Sequence, residues 1–301
     1  MSSGQTLAQM NLTCMWLVAI LYGINCILFG TCVCVISIRS PAHSRLLLCA
    51  TSFQFTMSTA HVILMFVQAM IAFTNTTIAA TPDGANLYYA ATGNYIFLAG
   101  QLIYIVNSFA QELLLIWRLY VVWNQNIKVC ILPLIMWVAH CATASVAVAL
   151  LAPKNASIFS YTFRVLSLSA WSLEMILNVT VTAGIVYHIW RTGQQTAALT
   201  CGGGFRYKGT IITIVESGAL ITACTCVIFC LWVASNIAGL VGSNIAMQVA
   251  TMTPLLIIVR GGLRRSHSNL GSHERYSHNL DPWRSTSFVR KLQTDTNEYH
   301  I

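Results

Sequence analysis

Seven apolar runs dominate this chain, at residues 12–38, 46–73, 95–117, 129–151, 167–190, 210–234 and 239–259. Each exceeds the roughly 18 residues a helix needs to cross a bilayer. Inside hydrocarbon a backbone must satisfy its own N–H and C=O groups, so such runs become helices. Composition agrees, with 56% hydrophobic and 8% charged residues against about 25% charged in a soluble domain. The expected fold is all-α and polytopic, a bundle of seven transmembrane helices. Three regions follow: a short extracellular or lumenal N-terminus at 1–11, the membrane domain at 12–260, and a cytosolic, mostly disordered tail at 261–301 rich in Ser, His and Asn. The first run is expected to be a span and not a cleavable signal, because it is too long and no basic segment precedes it.

The charged residues set an orientation. Arg39, Arg45, Arg118, Lys128, Arg191, Arg206, Lys208, Arg260, Arg264 and Arg265 fall on one side of the expected bundle, and only Lys154 and Arg164 on the other. The basic side belongs in the cytosol, which puts the N-terminus outside and the C-terminus inside, in a plasma or endoplasmic reticulum membrane. The net charge of +8 therefore reflects topology, and no basic face for nucleic acid exists. Glycosylation acceptors at Asn11, Asn75 and Asn155 fall on the outer side. Asn178-Val-Thr matches the same pattern within a span and is accidental. Of eleven cysteines, all but Cys201 lie in the apolar runs, as small packing residues. Cys201-Gly-Gly-Gly-Phe lacks the Lys-Ser or Lys-Thr of a phosphate loop and reads as a flexible connection.

Glu112, Glu174 and Glu216 are the acids within the spans. An ionised acid there costs at least a few kcal/mol unless it is paired or faces water. At about 1.5 Å per residue, Glu112 lies roughly 9 Å above the inner boundary at Arg118, and Glu216 lies about as deep. Arg118, Arg191 and Arg260 close three helices near that level. Glu112, Arg118, Glu216, Arg260 and Arg191 are thus expected to form an inner polar cluster. One reading is an ionic switch that opens when helices shift. The other is an anchor, with arginines reaching toward lipid phosphates and acids serving as helix glue.

Glu174, Asn178 and Thr182 stand at i, i+4 and i+8 on the fifth span, on one face. With Gln101, Asn107 and Gln111 of the third span they offer the lining of a ligand cavity in the outer or central bundle, or ordinary interhelical hydrogen bonding worth about 1 kcal/mol per contact. Pro254 interrupts the seventh span and is the expected hinge. His61, His140 and His188 do not converge in estimated depth, so no metal or other cofactor is implied. No catalytic motif is visible.

Four blocks look alike to a known family. They are Trp117-Arg118-Leu119-Tyr120-Val121-Val122-Trp123, Asn178-Val-Thr-Val-Thr182 running to Ile189-Trp190-Arg191, Glu216-Ser217-Gly218-Ala219-Leu220, and Thr253-Pro254-Leu-Leu-Ile-Ile-Val-Arg260. Between about Tyr22 and Leu263 the chain resembles a large, mostly uncharacterised family of seven-helix integral membrane proteins from mushroom-forming fungi. The resemblance implies the same topology and a fungal host, and no activity. Trp117 and Gly262 depart from the family's usual residues. Against rhodopsin-like receptors the likeness is topological, because no acid directly precedes Arg118 and no Asn-Pro pair marks the seventh span.

The favoured expectation is a receptor-like protein that senses a small, apolar ligand and signals to the cytosol, with the lipid bilayer and a heterotrimeric G protein as partners. A membrane-embedded enzyme of fungal specialised metabolism, such as an isoprenoid cyclase using Glu112 and Glu216 in one cavity, is the alternative. A transporter or a structural membrane protein is the third, although no repeat suggests a carrier.

Overall fold

The computed structural model describes residues 6–37, 41–91, 93–153, 160–199, 204–234, 238–239 and 241–261. The expected features at Asn155, the Cys201 loop and residues 262–301 lie outside them. Helices α1 (Leu7–Ser37), α2 (Pro41–Thr74), α3 (Thr76–Ala79), α4 (Gly84–Ala90), α5 (Tyr95–Val122), α6 (Ile131–Ala149), α7 (Tyr161–Leu199) and α8 (Gly204–Val233) follow one another, with a 3-10 turn at Ile127–Cys130 before α6. A last helix, α9, covers Val241–Gly261. Seven helices are long and apolar enough to cross a membrane, α6 together with its preceding turn among them. The protein is all-α and polytopic, and the described residues contain no strand.

Most helices outrun their apolar runs. The fifth apolar run covers 167–190, yet α7 covers Tyr161–Leu199, and α5, the third span, continues through Arg118 to Val122. A helix does not stop where hydrophobicity falls; it stops where the backbone loses its i−4 partners. Asn94 starts α5 by accepting the Ile96 N–H at 3.1 Å, and Asn75 starts α3 by accepting the Thr77 N–H at 3.0 Å. Between α5 and the 3-10 turn the chain reverses at Asn124 and Gln125, whose φ values of 51° and 64° are left-handed. Pro133 sits in the first turn of α6, where its missing N–H has no helical partner to lose.

The bundle is apolar outside and polar within. Trp16, Ile27, Ile63, Ile135 and Val179 stand exposed on the outer faces of α1, α2, α6 and α7, while Asn25, Gln54, Ser58, Asn107, Glu112 and Gln248 are almost fully enclosed. In water that surface would aggregate; in lipid it is the solvated one. Within the apolar windows 50% of α5 and 67% of α9 is buried, against 17% of α1 and 22% of α6, so α5 and α9 are the central helices. α5 packs on α2, α6 and α7, and α7 packs on α6 and α8.

The chain divides into two compact units. Met1–Ile258 contains α1 to α8 and most of α9; in Val259–Ile301 the described residues are the last turn of α9. Below, the amino-terminal face is the one from which α1 starts. Two contacts mark the two faces. Asn86 of α4 accepts the Ala8 N–H at 2.9 Å on that face, and the Trp123 indole donates to the Gly184 carbonyl at 3.2 Å toward the opposite one.

Candidate functional site

The inward stripe of α5 repeats at helical spacing through Gln101, Tyr104, Ser108, Gln111, Glu112, Leu115 and Leu119. It is polar toward the amino-terminal face and apolar toward the opposite one. Glu112 is fully enclosed, and its Oε2 lies 2.8 Å from His140 Nδ1 on α6. In the Nδ1–H tautomer the imidazole donates to the carboxylate. Two contacts hold α6 in this register. The Trp137 indole donates to the Phe109 carbonyl at 3.2 Å, and Phe109 meets the His140 ring edge-on at 5.4 Å. Glu112 Oε1 is buried without a partner among the described residues, an acceptor that ordered water would satisfy.

Glu174 of α7 completes a trio. Ser108 Oγ donates to its Oε1 at 3.3 Å, and its carboxyl is near enough to interact electrostatically with both His140 and Glu112. Two carboxyl groups and one imidazole can distribute charge by passing a proton, and a removable charge inside hydrocarbon is a means of changing helix packing.

A cleft of about 50 Å³ between α5, α6 and α7 reaches two of the trio, His140 and Glu174. Gln101, Tyr104, Ser108, His140, Phe163, Ser167, Trp171 and Glu174 line it together with small α6 residues. At roughly 10–15 Å³ per water in this measure, it admits a few waters or the polar end of a ligand. A second cavity of about 40 Å³ opens beside it between α1, α2, α5 and α9, with His61, Gln68, Tyr89 and Asn244 in its wall. Gln101 borders both. Burial holds the Tyr89 phenol up at about 12, helped by the neighbouring Tyr88, so this hydroxyl is neutral at physiological pH.

Of the expected cavity residues, those on α5 and α7 face each other in part. Gln111 Nε2 donates to Asn178 Oδ1 at 3.3 Å, and Ser108 meets Glu174. Asn107 turns instead to α9 and donates to Thr251 Oγ1 at 3.3 Å. Thr182 lies farther along, in the wall of an apolar cavity toward the opposite face. A separate polar knot ties α1, α2 and α9: Asn25 Nδ2 donates to Gln248 Oε1 at 3.0 Å, and Ser58 Oγ donates to the same oxygen at 2.7 Å.

The expected inner cluster is placed differently. Glu112 pairs with His140 inside the bundle, whereas Glu216 is exposed on α8 and Arg191 on α7. Glu112 and Glu216 therefore do not line one buried cavity. Arg118 Nη2 donates to the Pro254 carbonyl at 3.3 Å, which joins α5 to α9 beside the proline. That ring removes the helical hydrogen bond to the Ala250 carbonyl. Arg260 is exposed in the last turn of α9. Asn75 is exposed, while Asn11 is helical and gives its amide to the Leu7 carbonyl at 2.9 Å.

His140, weighed from the sequence only as a metal ligand, and Ser108 are the residues that sequence reasoning left out of the site. At about 1.5 Å per residue, Glu112 stands roughly 15 Å from the end of α5 and His140 roughly 20 Å from Ile127, within one helical turn in depth. That arithmetic was open to the sequence; the facing of the two side chains was not. No group of three or more His, Cys, Asp or Glu among the described residues is arranged to hold a metal ion. The described cysteines form no disulfide with one another. Compared with known proteins, the chain matches no family model, no curated protein and no solved structure.

Proposed function

We propose that this chain is a receptor-like seven-helix protein, of the fungal kind its sequence resembles, that senses a small ligand and signals to the cytosol. The amino-terminal face is the outer one, in a plasma or endoplasmic reticulum membrane, and the opposite face meets a heterotrimeric G protein. The supporting observation is the cleft between α5, α6 and α7, which leads to Glu174 and to the Glu112–His140 pair. Its wall suits a ligand with an apolar or aromatic body, set against Phe163 and Trp171, and one polar end that hydrogen-bonds near Glu174. Ligand binding there changes the hydrogen bonding of α5, whose far end carries the Arg118 contact to Pro254. α5 is thus the rod between the two faces.

The test is a thermal-stabilisation screen of the purified protein with small amines, alcohols and carboxylic acids on apolar bodies. A ligand of this site loses its effect in Ser167→Leu and Glu174→Gln, and increases recovery of G-protein subunits in a nucleotide-sensitive pull-down. Ligands that stabilise these variants as well as the parent chain would sink the reading.

The acid–imidazole contact at 2.8 Å supports a second reading, an enzyme that moves a proton on an apolar substrate such as an isoprenoid. Here His140 and Glu174 stand with Glu112, in place of the Glu112–Glu216 pair expected from depth. Membranes that convert polyprenyl substrates, and lose the conversion in His140→Gln, would favour it.

A further inference from the structure

The cleft between α5, α6 and α7 runs from Leu151 and Phe163, toward the amino-terminal face, to His140 and Glu174. Its charges do not balance. The one basic group in its wall, the His140 imidazole, is taken by Glu112 at 2.8 Å. Glu174 is 3% exposed and accepts one hydrogen bond among the described residues, at Oε1 from Ser108 at 3.3 Å. Its other carboxylate oxygen has no hydrogen bond there, yet it is not sealed in as the unpartnered Glu112 Oε1 is. Because Glu174 lines the cleft, that oxygen opens onto it. The ionisable groups that interact with Glu174 are Tyr104, Glu112, His140 and Cys224, and no arginine or lysine lines the cleft. Arg164, near the start of α7, stands roughly 15 Å from Glu174 along the helix. Its Nη2 donates to the Val233 carbonyl at 2.8 Å. Glu112, His140 and Glu174 are not arranged to hold a metal ion.

The wall beside the acid is aromatic. Trp171 stands one turn before Glu174 on the same side of α7, with Tyr104 on α5 and Phe163 nearer the mouth. Trp232 of α8 fixes two of these rings, meeting Trp171 edge-on at 5.5 Å and Phe163 edge-on at 5.8 Å. Aromatic faces attract a cation, and a carboxylate accepts from an ammonium in a charge-assisted hydrogen bond. We propose that the ligand of this cleft is a primary amine on an aryl body, with its ammonium on Glu174 and its ring among Tyr104, Phe163 and Trp171. The assignment rests on the cleft being the ligand site of the receptor reading, and names the ligand's charge. An anionic head would meet the field of two acids. An alcohol would hydrogen-bond to Glu174 and leave its charge uncompensated.

The test titrates the full chain in phosphatidylcholine nanodiscs with phenethylamine, phenethyl alcohol and phenylacetate, one ring with three heads, by calorimetry against empty discs. Saturable binding of the amine is expected, with the alcohol at least about tenfold weaker and the acid not bound. Glu174→Gln, which keeps the shape and removes the charge, weakens the amine at least about tenfold. Ser167→Leu, which fills the cleft and leaves Glu174 in place, abolishes it. If Glu174→Gln fails to fold, the three heads on the parent chain and Ser167→Leu carry the test. Alcohol or acid bound as tightly as the amine, and lost in Ser167→Leu, overturns the amine and leaves the cleft as a ligand site. No saturable amine binding, or unchanged amine binding in folded Glu174→Gln or Ser167→Leu, also overturns the proposal. Amine binding lost in both variants but without added recovery of G-protein subunits upholds the amine site and counts against the receptor reading alone.

Discussion

At the scale of single residues, the account turns on Glu112 and His140. Removing one partner of an enclosed pair strands the other in a medium that cannot solvate it, whereas replacing both by apolar groups of similar volume is often neutral or better. Glu112→Leu and His140→Leu should each lower stability by about 3–5 kcal/mol at most, and the double variant should be more stable than either single one. A double-mutant cycle on the purified protein reads this directly; additive losses would mean that the two groups do not interact. Tyr89 gives a pH prediction. Its proton is held more tightly folded than unfolded, so the folded chain retains it after the unfolded chain has lost it. Stability from this group is therefore full below about 10, the ordinary phenol value, and is lost as pH rises toward about 12. Tyr89→Phe should flatten that alkaline loss in a melting series, and an identical slope would refute the assignment. Sequence arithmetic marked Glu112, Glu174 and Glu216 as the acids to explain, because a charge in an apolar run is conspicuous. It assigned Glu112 the wrong companions because depth follows from residue number while azimuth depends on how α5 and α6 are rotated against each other.

At the scale of elements, α7 and α8 approach closely at Gly218. A Cβ there would meet Thr182 Oγ1 at 2.9 Å and Thr182 Cγ2 at 3.0 Å, closer than real contacts allow. Gly218→Ala should cost about 1–3 kcal/mol by overpacking, and adding Thr182→Ala, which removes both clashing atoms, should restore most of it. Unfolding curves of the three variants decide; no loss in Gly218→Ala would show that the helices part freely. The helices themselves were legible, since seven long apolar runs leave a bilayer-spanning chain little other choice. Their ends were less so, as α7 shows, because a polar turn such as Thr192 to Gln195 continues a helix once its backbone bonds are made. The polar lines on α5 and α7 were also readable from i, i+4 spacing. Their division was not: Asn107 turned to α9 and Thr182 toward the other face, a consequence of where each side chain falls around its helix.

For the whole molecule, orientation and transmission are the claims that matter. Asn75 caps a short helix on the amino-terminal face and is exposed, whereas Asn11 is already bonded within α1. If the amino-terminal face is outside, Asn75→Gln should remove a glycosidase-sensitive mobility shift that Asn11→Gln leaves in place; glycan retained in Asn75→Gln would argue for another acceptor. The positive-inside bias is the sequence's ground for proposing that orientation, whereas the contacts along α5 that a route between faces would use, Ser108 to Glu174, Glu112 to His140 and Arg118 to Pro254, belong to the packing and not to the sequence. The most direct measurement places a fluorine label at Trp190→Cys, exposed toward the face opposite the cleft, after the exposed native cysteines have been replaced by alanine. A compound that stabilises the parent chain is then titrated by fluorine NMR. A second resonance that grows with occupancy and is lost in Glu174→Gln is the predicted result. Saturating stabilisation with an unchanged resonance at Trp190 would contradict the claim that the cleft and the far face are coupled.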